Sequence, residues 1–308
     1  MSPGSGAAGP KSEHPSAALG TRAGRGSAKR NRHPGVVSDP WPEPPPDRVV
    51  AAFGLLGAPV PLPGGQGGSW RVGEAVLKPS QSENFVGWLS GLLTRLDGRE
   101  DFRVSPPLPA RTGSWCIEGW AAWRYERGAH QPRRWLDILG VGDMFHAAVR
   151  NETLPPLLTA RTDRWAVADR VAWGELPLTP AWTRTGLVQE LVAALRPVLG
   201  CDQLVHGDLT RNVLFQLQQP PLVIDVSPYW RSPEFASAIV VVDALIWQGA
   251  DEQLITALPW TMNTAQYLLR SLLFRAVTDL IQRPHEEPAA VTAPYQPALE
   301  TVLRLGRN

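Results

Sequence analysis

Lysine is almost missing from this 308-residue chain. Lys11, Lys29 and Lys78 are the only three, which leaves 27 of the 30 basic residues as arginine. Cysteine is equally scarce. Cys116 and Cys201 are too few for a disulfide scaffold or a Cys-rich zinc site, and each is expected as a small buried residue. There is no excess of either charge: 30 basic against 29 acidic residues gives a net of +1. That balance excludes a dedicated nucleic-acid or membrane-surface binder, which needs a strong basic bias. No long hydrophobic run is present either. The most apolar stretch, 236–247, is interrupted by Asp243 and falls short of the ~20 residues a membrane span requires. The start of the chain has no apolar core of a secretory signal, so a cytoplasmic location is expected by default.

What is there is uneven along the chain. Residues 1–47 hold nine Pro and seven Gly, 16 of 47, above the ~25–30% level of low-complexity segments. Such a segment cannot bury enough surface to offset its ordering entropy, so residues 1–46 are expected as a disordered tail. Its basic run Lys29-Arg30-Asn31-Arg32-His33 reads as a solvated face. The remaining 48–308 carry 24 basic and 25 acidic residues, a net of −1, and the whole chain is 43% hydrophobic, enough for a large core.

The body reads as mixed α and β. A short helix is expected over 47–54, strands over 70–72 and 75–78, and a helix over 82–96 with Ser82 as its N-cap. Strands are expected near 102–104 and 115–120. Helices then dominate, over 135–150, 186–199, 235–249 and 264–281. Embedded among them are two short apolar runs, Val213–Leu217 and Leu222–Val226, which read as a β-hairpin. The expected fold class is α+β: a small β-rich N-lobe over 47–120 and a larger helical C-lobe over 121–308.

One constellation carries chemistry. His206-Gly207-Asp208-Leu209-Thr210-Arg211-Asn212 precedes the first hairpin strand, and Asp225 ends the second, 17 residues after Asp208. Hairpin pairing brings Asp208, Asn212 and Asp225 to one end of the sheet. One carboxylate there can accept a hydrogen bond from a substrate hydroxyl. The other carboxylate and the amide oxygen can hold a hard cation such as Mg²⁺. Lys78 draws attention by its isolation, as the single lysine among 24 basic residues of the body. A compact ammonium on a flexible stem suits a phosphate contact, and a planar guanidinium is not its equivalent.

This segment resembles the catalytic loop of the aminoglycoside phosphotransferase-like enzymes, which share the protein-kinase-like two-lobed fold. The likeness is closest to an actinobacterial branch of that group and runs from about Pro44 to the C-terminus. Its other marks are Gly64-Gly65-Gln66-Gly67, Val76-Leu77-Lys78-Pro79, Gly119-Trp120-Ala121-Ala122-Trp123-Arg124 and Val223-Ile224-Asp225-Val226-Ser227-Pro228-Tyr229-Trp230-Arg231. The resemblance implies an ATP- and Mg²⁺-dependent kinase of a small-molecule hydroxyl, with GTP as the open alternative nucleotide.

By the same resemblance, Asp208 would be the catalytic residue that orients the hydroxyl, and Asn212 and Asp225 the metal ligands. Lys78 would meet the nucleotide phosphates, with Glu83 as its carboxylate partner. Gly64, Gly65, Gly67 and Gly68 would cover the phosphates, and Glu118, Gly119 and Trp120 would form the interlobe hinge against the base. His206 and Asp243 would support the loop, His206 through backbone carbonyls and Asp243 through the loop backbone. His146 reads as a satisfied core or interlobe residue. Of the 13 tryptophans most are expected in the core, with Tyr229, Trp230 and Arg231 as candidate substrate contacts.

One departure tempers the likeness, and the charge pattern narrows the acceptor. Asp208 to Asn212 is four steps, one fewer than the family pattern, which keeps a nucleotide-binding pseudokinase as the alternative reading. A polycationic antibiotic needs a strongly acidic cleft, whereas the acids of the C-terminal helices (Glu234, Asp251, Glu252, Asp279, Glu286, Glu287) are scattered. A small hydroxylated metabolite is therefore the expected acceptor.

Overall fold

A computed structural model describes residues 43–63, 68–80, 82–198, 200–259, 261 and 263–306. The tail expected over 1–46 lies outside them except for 43–46, which lead into the first helix. The described strands are β1 (Val60–Pro61), β2 (Trp70–Val72), β3 (Ala75–Pro79), β4 (Arg103–Val104), β5 (Pro107–Leu108), β6 (Trp120–Arg124), β7 (Gln203–His206), β8 (Val213–Leu214), β9 (Leu222–Val223) and β10 (Pro228–Arg231). The described helices are α1 (Asp47–Ala52), α2 (Glu83–Leu96), α3 (Trp135–Val149), α4 (Pro156–Thr159), α5 (Arg164–Ala172), α6 (Gly186–Ala194), α7 (Pro233–Trp247), α8 (Gln253–Thr256), α9 (Thr264–Gln282), α10 (Pro288–Thr292) and α11 (Gln296–Leu305).

The small lobe is an antiparallel sheet in the order β1-β2-β3-β6-β5. Side chains alternate across its strands. Val72, Leu77 and Ala122 face one way and bury against Val49 and Val50 of α1 and Phe53 just after it. Leu77 sits opposite Ala122 in the register, so Val76 opposite Trp123 and Lys78 opposite Ala121 share the other face. That face, half-buried at Val76, Lys78 and Trp123, looks onto the larger lobe.

The larger core is helical and centred on α9, fourteen of whose nineteen residues are buried. It also takes in Leu89, Leu92, Leu93 and Leu96 of α2. Ser82 caps α2 as expected, its hydroxyl accepting from the Phe85 N–H at 3.2 Å. The hairpin forms as expected, β8 against β9, and β4 adds to β9 in parallel. The expected lobe boundary at 120/121 falls at the first residue of β6, a strand of the small sheet.

Three expectations shift. The strand expected over 115–120 starts only at Trp120. Glu118 (φ 47°) and Gly119 (φ 80°) both take positive φ, and Ile117 and Trp120 exchange backbone hydrogen bonds of 2.8 and 2.9 Å. This is a two-residue hairpin turn, whose handedness requires those φ values, so the chain reverses where it was expected to run on. The helix expected to Leu199 ends at Ala194, because the Pro197 ring would clash with the preceding turn. Cys201 is exposed and Cys116 half-buried, so neither is the buried residue expected. The pair β7–β10 was not foreseen; its strands flank polar loops that masked their periodicity.

Candidate functional site

The two lobes meet through an ion pair. Lys78 Nζ, from β3, contacts the Asp225 carboxylate across the cleft. The Lys78 ammonium also lies 5.2 Å from the centroid of the Trp123 ring on its own sheet face. Asp225 has φ 49°, a left-handed turn that Asp tolerates better than most residues, and this turn ends the β9 side of the hairpin. Its side chain stays 42% exposed.

Asp208 and Asn212 reach the same place despite the short loop. Asn212 Nδ2 donates to the Asp208 carbonyl at 2.6 Å and to Asp208 Oδ2 at 3.2 Å. The Asn212 carbonyl accepts from the Ile224 N–H at 2.9 Å, next to Asp225. The structure thus gathers Lys78, Asp208, Asn212 and Asp225 at one end of the hairpin.

Two histidines lie beneath. His206 is fully buried. Its Nδ1 accepts from the Asp208 N–H at 3.2 Å, which requires the proton on Nε2, placed 3.2 Å from the Ile224 carbonyl. His206 thus joins the Asp208 backbone to the residue before Asp225, and burial pushes its imidazole below the usual range. His146 on α3 accepts the His206 N–H on Nε2 at 3.1 Å. Its Nδ1 has no partner among the described residues, so it is less satisfied than expected.

Burial, reinforced by the neighbouring His206, holds His146 neutral down to about 3. The unfolded imidazole titrates near ~6.5. Between those values the unfolded chain binds a proton that the folded chain refuses, so stability falls as pH drops through the window. The urea midpoint of the wild type should fall more steeply from pH 6.5 to 4 than that of His146→Gln. Equal slopes would contradict this assignment.

Asp243 was expected to bond the loop backbone. Instead its Oδ2 accepts from the Thr210 hydroxyl at 3.0 Å, and both its oxygens take the guanidinium of Arg275, at 2.8 and 2.6 Å. Arg275 also reaches Asp208 Oδ1 at 2.8 Å. The sequence reading passed over Arg275. A signal existed: an arginine within the apolar run Leu272-Leu273-Phe274-Arg275-Ala276-Val277 is costly unless paired.

Several further expectations are corrected. Glu83 does not pair with Lys78. Its carboxylate accepts the backbone N–H groups of Trp115 and Cys116 at 2.6 and 2.7 Å, which pins the loop before the hairpin turn onto the start of α2. Glu118, Gly119 and Trp120 are not the interlobe crossing. Glu118 sits in the exposed turn, paired with Arg48. The chain crosses after Arg124, where the Tyr125 N–H adds a last rung to Glu74. Arg103 pins this crossing, donating to the Pro220 carbonyl, the Glu126 carboxylate and the Arg127 carbonyl. Gly64, Gly65 and Gly67 lie outside the described residues. Gly68 is buried with φ 91°.

Tyr229 and Arg231 are structural. Tyr229 is buried edge-on against Phe274, and a Cβ on Gly207 would come within 2.5 Å of its ring, so the glycine of the loop is needed for this close approach. Arg231 forms a buried pair with Asp169 at 2.7 Å and reaches Glu175 at 2.7 Å. Trp230, between them, is half-buried against the larger core. Tyr229 and Arg231 are thus not free to serve as substrate contacts in this packing, while Trp230 keeps part of its side chain exposed.

Among the described residues, no cluster of three or more His, Cys, Asp or Glu side chains could hold a metal. The donors at the cleft are fewer and hard. They are the Asp225 carboxylate and the Asn212 Oδ1, which is left over because both hydrogen bonds of that amide use Nδ2. Such a pair fits a cation that completes its shell with phosphate and water oxygens, as Mg²⁺ does.

No family model matches the sequence, and no curated protein matches it. Solved structures do. A spectinomycin phosphotransferase in complex with ADP and spectinomycin is similar over 83% of this chain and 96% of its own, with a TM-score of 0.52 and 12% identity. A thermostable mutant of an aminoglycoside phosphotransferase, in its apo form, is similar over 84% and 98%, at 0.55 and 15%. A choline/ethanolamine kinase family protein from Mesorhizobium loti is similar over 85% and 97%, at 0.50 and 15%. Their fold, a small sheet-rich lobe on a larger helical one, matches the arrangement here, and the chain is therefore built on the two-lobed, protein-kinase-like α+β fold of the aminoglycoside phosphotransferases.

Proposed function

We propose that this protein is an ATP- and Mg²⁺-dependent phosphotransferase that moves the γ-phosphate to a hydroxyl of a small molecule. The observation that carries the reading is the meeting of Lys78 with Asp225 across the cleft, beside Asp208 and Asn212. A cation from one lobe and oxygen donors from the other then flank a space suited to a polyphosphate.

Each residue has a task. Lys78 would exchange Asp225 for the α- and β-phosphate oxygens. The adenine would lie against the backbone of 125–128, where the chain crosses, and the lobe boundary would then fall after Arg124. Asp225 and the Asn212 Oδ1 would hold Mg²⁺, which when bound neutralises charge on the phosphate oxygens. Asp208 would accept a hydrogen bond from the acceptor hydroxyl and aim its oxygen along the line of displacement. Chemistry of this kind rests on positioning and charge stabilisation.

A small, non-polycationic acceptor is supported by the fate of the surface acids. Glu252 pairs with Arg304, and Asp279 and Glu286 share Arg283. A cationic antibiotic would have to compete with those arginines.

Calorimetry with ATP, with and without Mg²⁺, tests the reading. Wild type should bind ATP in a Mg²⁺-dependent way, and Asp225→Ala should abolish that dependence. Saturation at about 100 times Kd should raise stability by about 2.7 kcal/mol, visible as a thermal shift. Tight binding indifferent to Mg²⁺ and to Asp225 would mark the pseudokinase alternative. No binding at all would remove the reading.

A further inference from the structure

The catalytic loop is braced from α9, a helix more than fifty residues further along the chain. Arg275 is buried and carries one guanidinium against two carboxylates. Its Nε and Nη2 grip Asp243, and the same Nη2 reaches Asp208 Oδ1 at 2.8 Å. Asp243 is in turn tied to the loop through the Thr210 hydroxyl at 3.0 Å. Helix α9 is held by its own partner, since the Tyr295 hydroxyl donates to Asp279 Oδ2 at 2.7 Å and lies 3.2 Å from the Arg275 carbonyl. The carboxylate of Asp208 is therefore fixed at one oxygen by a rigid fork. Its other oxygen takes the longer 3.2 Å contact from Asn212 and remains the one able to meet an incoming hydroxyl.

We infer that Arg275 is a positioning residue for phosphoryl transfer: it locks the rotamer of Asp208 so that Oδ2 faces the acceptor hydroxyl. This rests on the phosphotransferase reading. A planar guanidinium suits the task because its donors are spaced to bridge two carboxylates in fixed geometry. Nothing in the overall fold requires a charge there. A buried ion pair is weak support for stability, and an apolar replacement of similar volume often serves as well. What the fork supplies is direction. A misplacement of about 1 Å in a catalytic group costs roughly 10²-fold in rate.

The test uses the full chain, ATP and Mg²⁺, with water as the acceptor and phosphate release as the readout. Arg275→Met alone would leave Asp243 buried without its cation, so the decisive protein is Arg275→Met with Asp243→Asn. This pair removes both charges and keeps an acceptor for Thr210. It should fold with a near-native thermal midpoint, bind ATP with unchanged Kd, and lose roughly 10²-fold in kcat with KM for ATP unchanged. Arg275→Lys should recover part of that loss. The same double change placed on Asp208→Asn should cost nothing further, because there is no carboxylate left to aim, whereas a general structural defect would multiply the two losses.

An unchanged kcat in the folded double variant, or losses that multiply in the Asp208→Asn background, would overturn the inference and leave the phosphotransferase reading standing. A wild type whose ATP binding is indifferent to Mg²⁺ and to Asp225→Ala would overturn the reading and the inference together.

Discussion

Asp208→Asn should lower kcat by roughly 10²–10⁴-fold, the range associated with one positioned acid–base group, while ATP affinity stays near that of the wild type. In the proposed mechanism affinity is spared because Asp208 would face the acceptor hydroxyl, while the nucleotide would be met by Lys78 and Asp225, which are paired with each other across the cleft. Folding is spared too. Arg275 keeps its two-oxygen grip on Asp243, so no buried charge loses its only partner. Single-turnover kinetics with ATP and Mg²⁺ measure the loss. An Asp208→Asn enzyme within threefold of wild type would place the reacting hydroxyl elsewhere, since such a factor is under ~1 kcal/mol of barrier.

Arg231→Met should destabilise the protein by about 3–5 kcal/mol, because the Asp169 carboxylate would remain buried without its cation. Asp169 and Arg231 side chains are 8% and 11% exposed, so solvent does little to soften that loss. Arg231 also lies 4.8 Å from the centroid of the Trp173 ring, whose packing it helps to order. Urea unfolding measures the change. Adding Asp169→Asn should restore much of it, since neutralising both partners removes the unpaired charge. A single Arg231→Met variant as stable as wild type would show that Asp169 finds water or another cation, and would reopen a ligand-facing role for Arg231.

These two residues also mark where sequence reasoning succeeds and where it stops. Asp208, Asn212 and Asp225 were legible because two short apolar runs fixed a hairpin, and a hairpin dictates which loop residues share an end. Lys78 was legible through its rarity in an arginine-rich chain. Arg231 was not. Nothing local distinguishes an arginine aimed at a ligand from one aimed at Asp169, 62 residues away. Glu83 failed for the same reason, since its partners are backbone N–H groups brought from 32 and 33 residues away. The turn at Glu118 and Gly119 was read as strand because its flanks are aromatic and apolar, and this moved the interlobe crossing by one strand length. Arg275 was within reach. It is the counterpart of Asp243, a lone charge in an apolar helix, and two such misfits in one chain are each other's natural partners.

The addition of β4 to the hairpin strand β9 has a mechanical consequence. Helix α2 is shared between the lobes: Leu89, Leu92, Leu93 and Leu96 enter the larger core, while Glu83 at its start holds the Trp115 and Cys116 backbone of the small lobe. The chain then passes through β4, paired with the large lobe's hairpin, back into the small sheet at β5, and leaves it again after β6. A single crossing would act like a gate on one post; a shared helix and a borrowed strand add further points at which the two halves are tied.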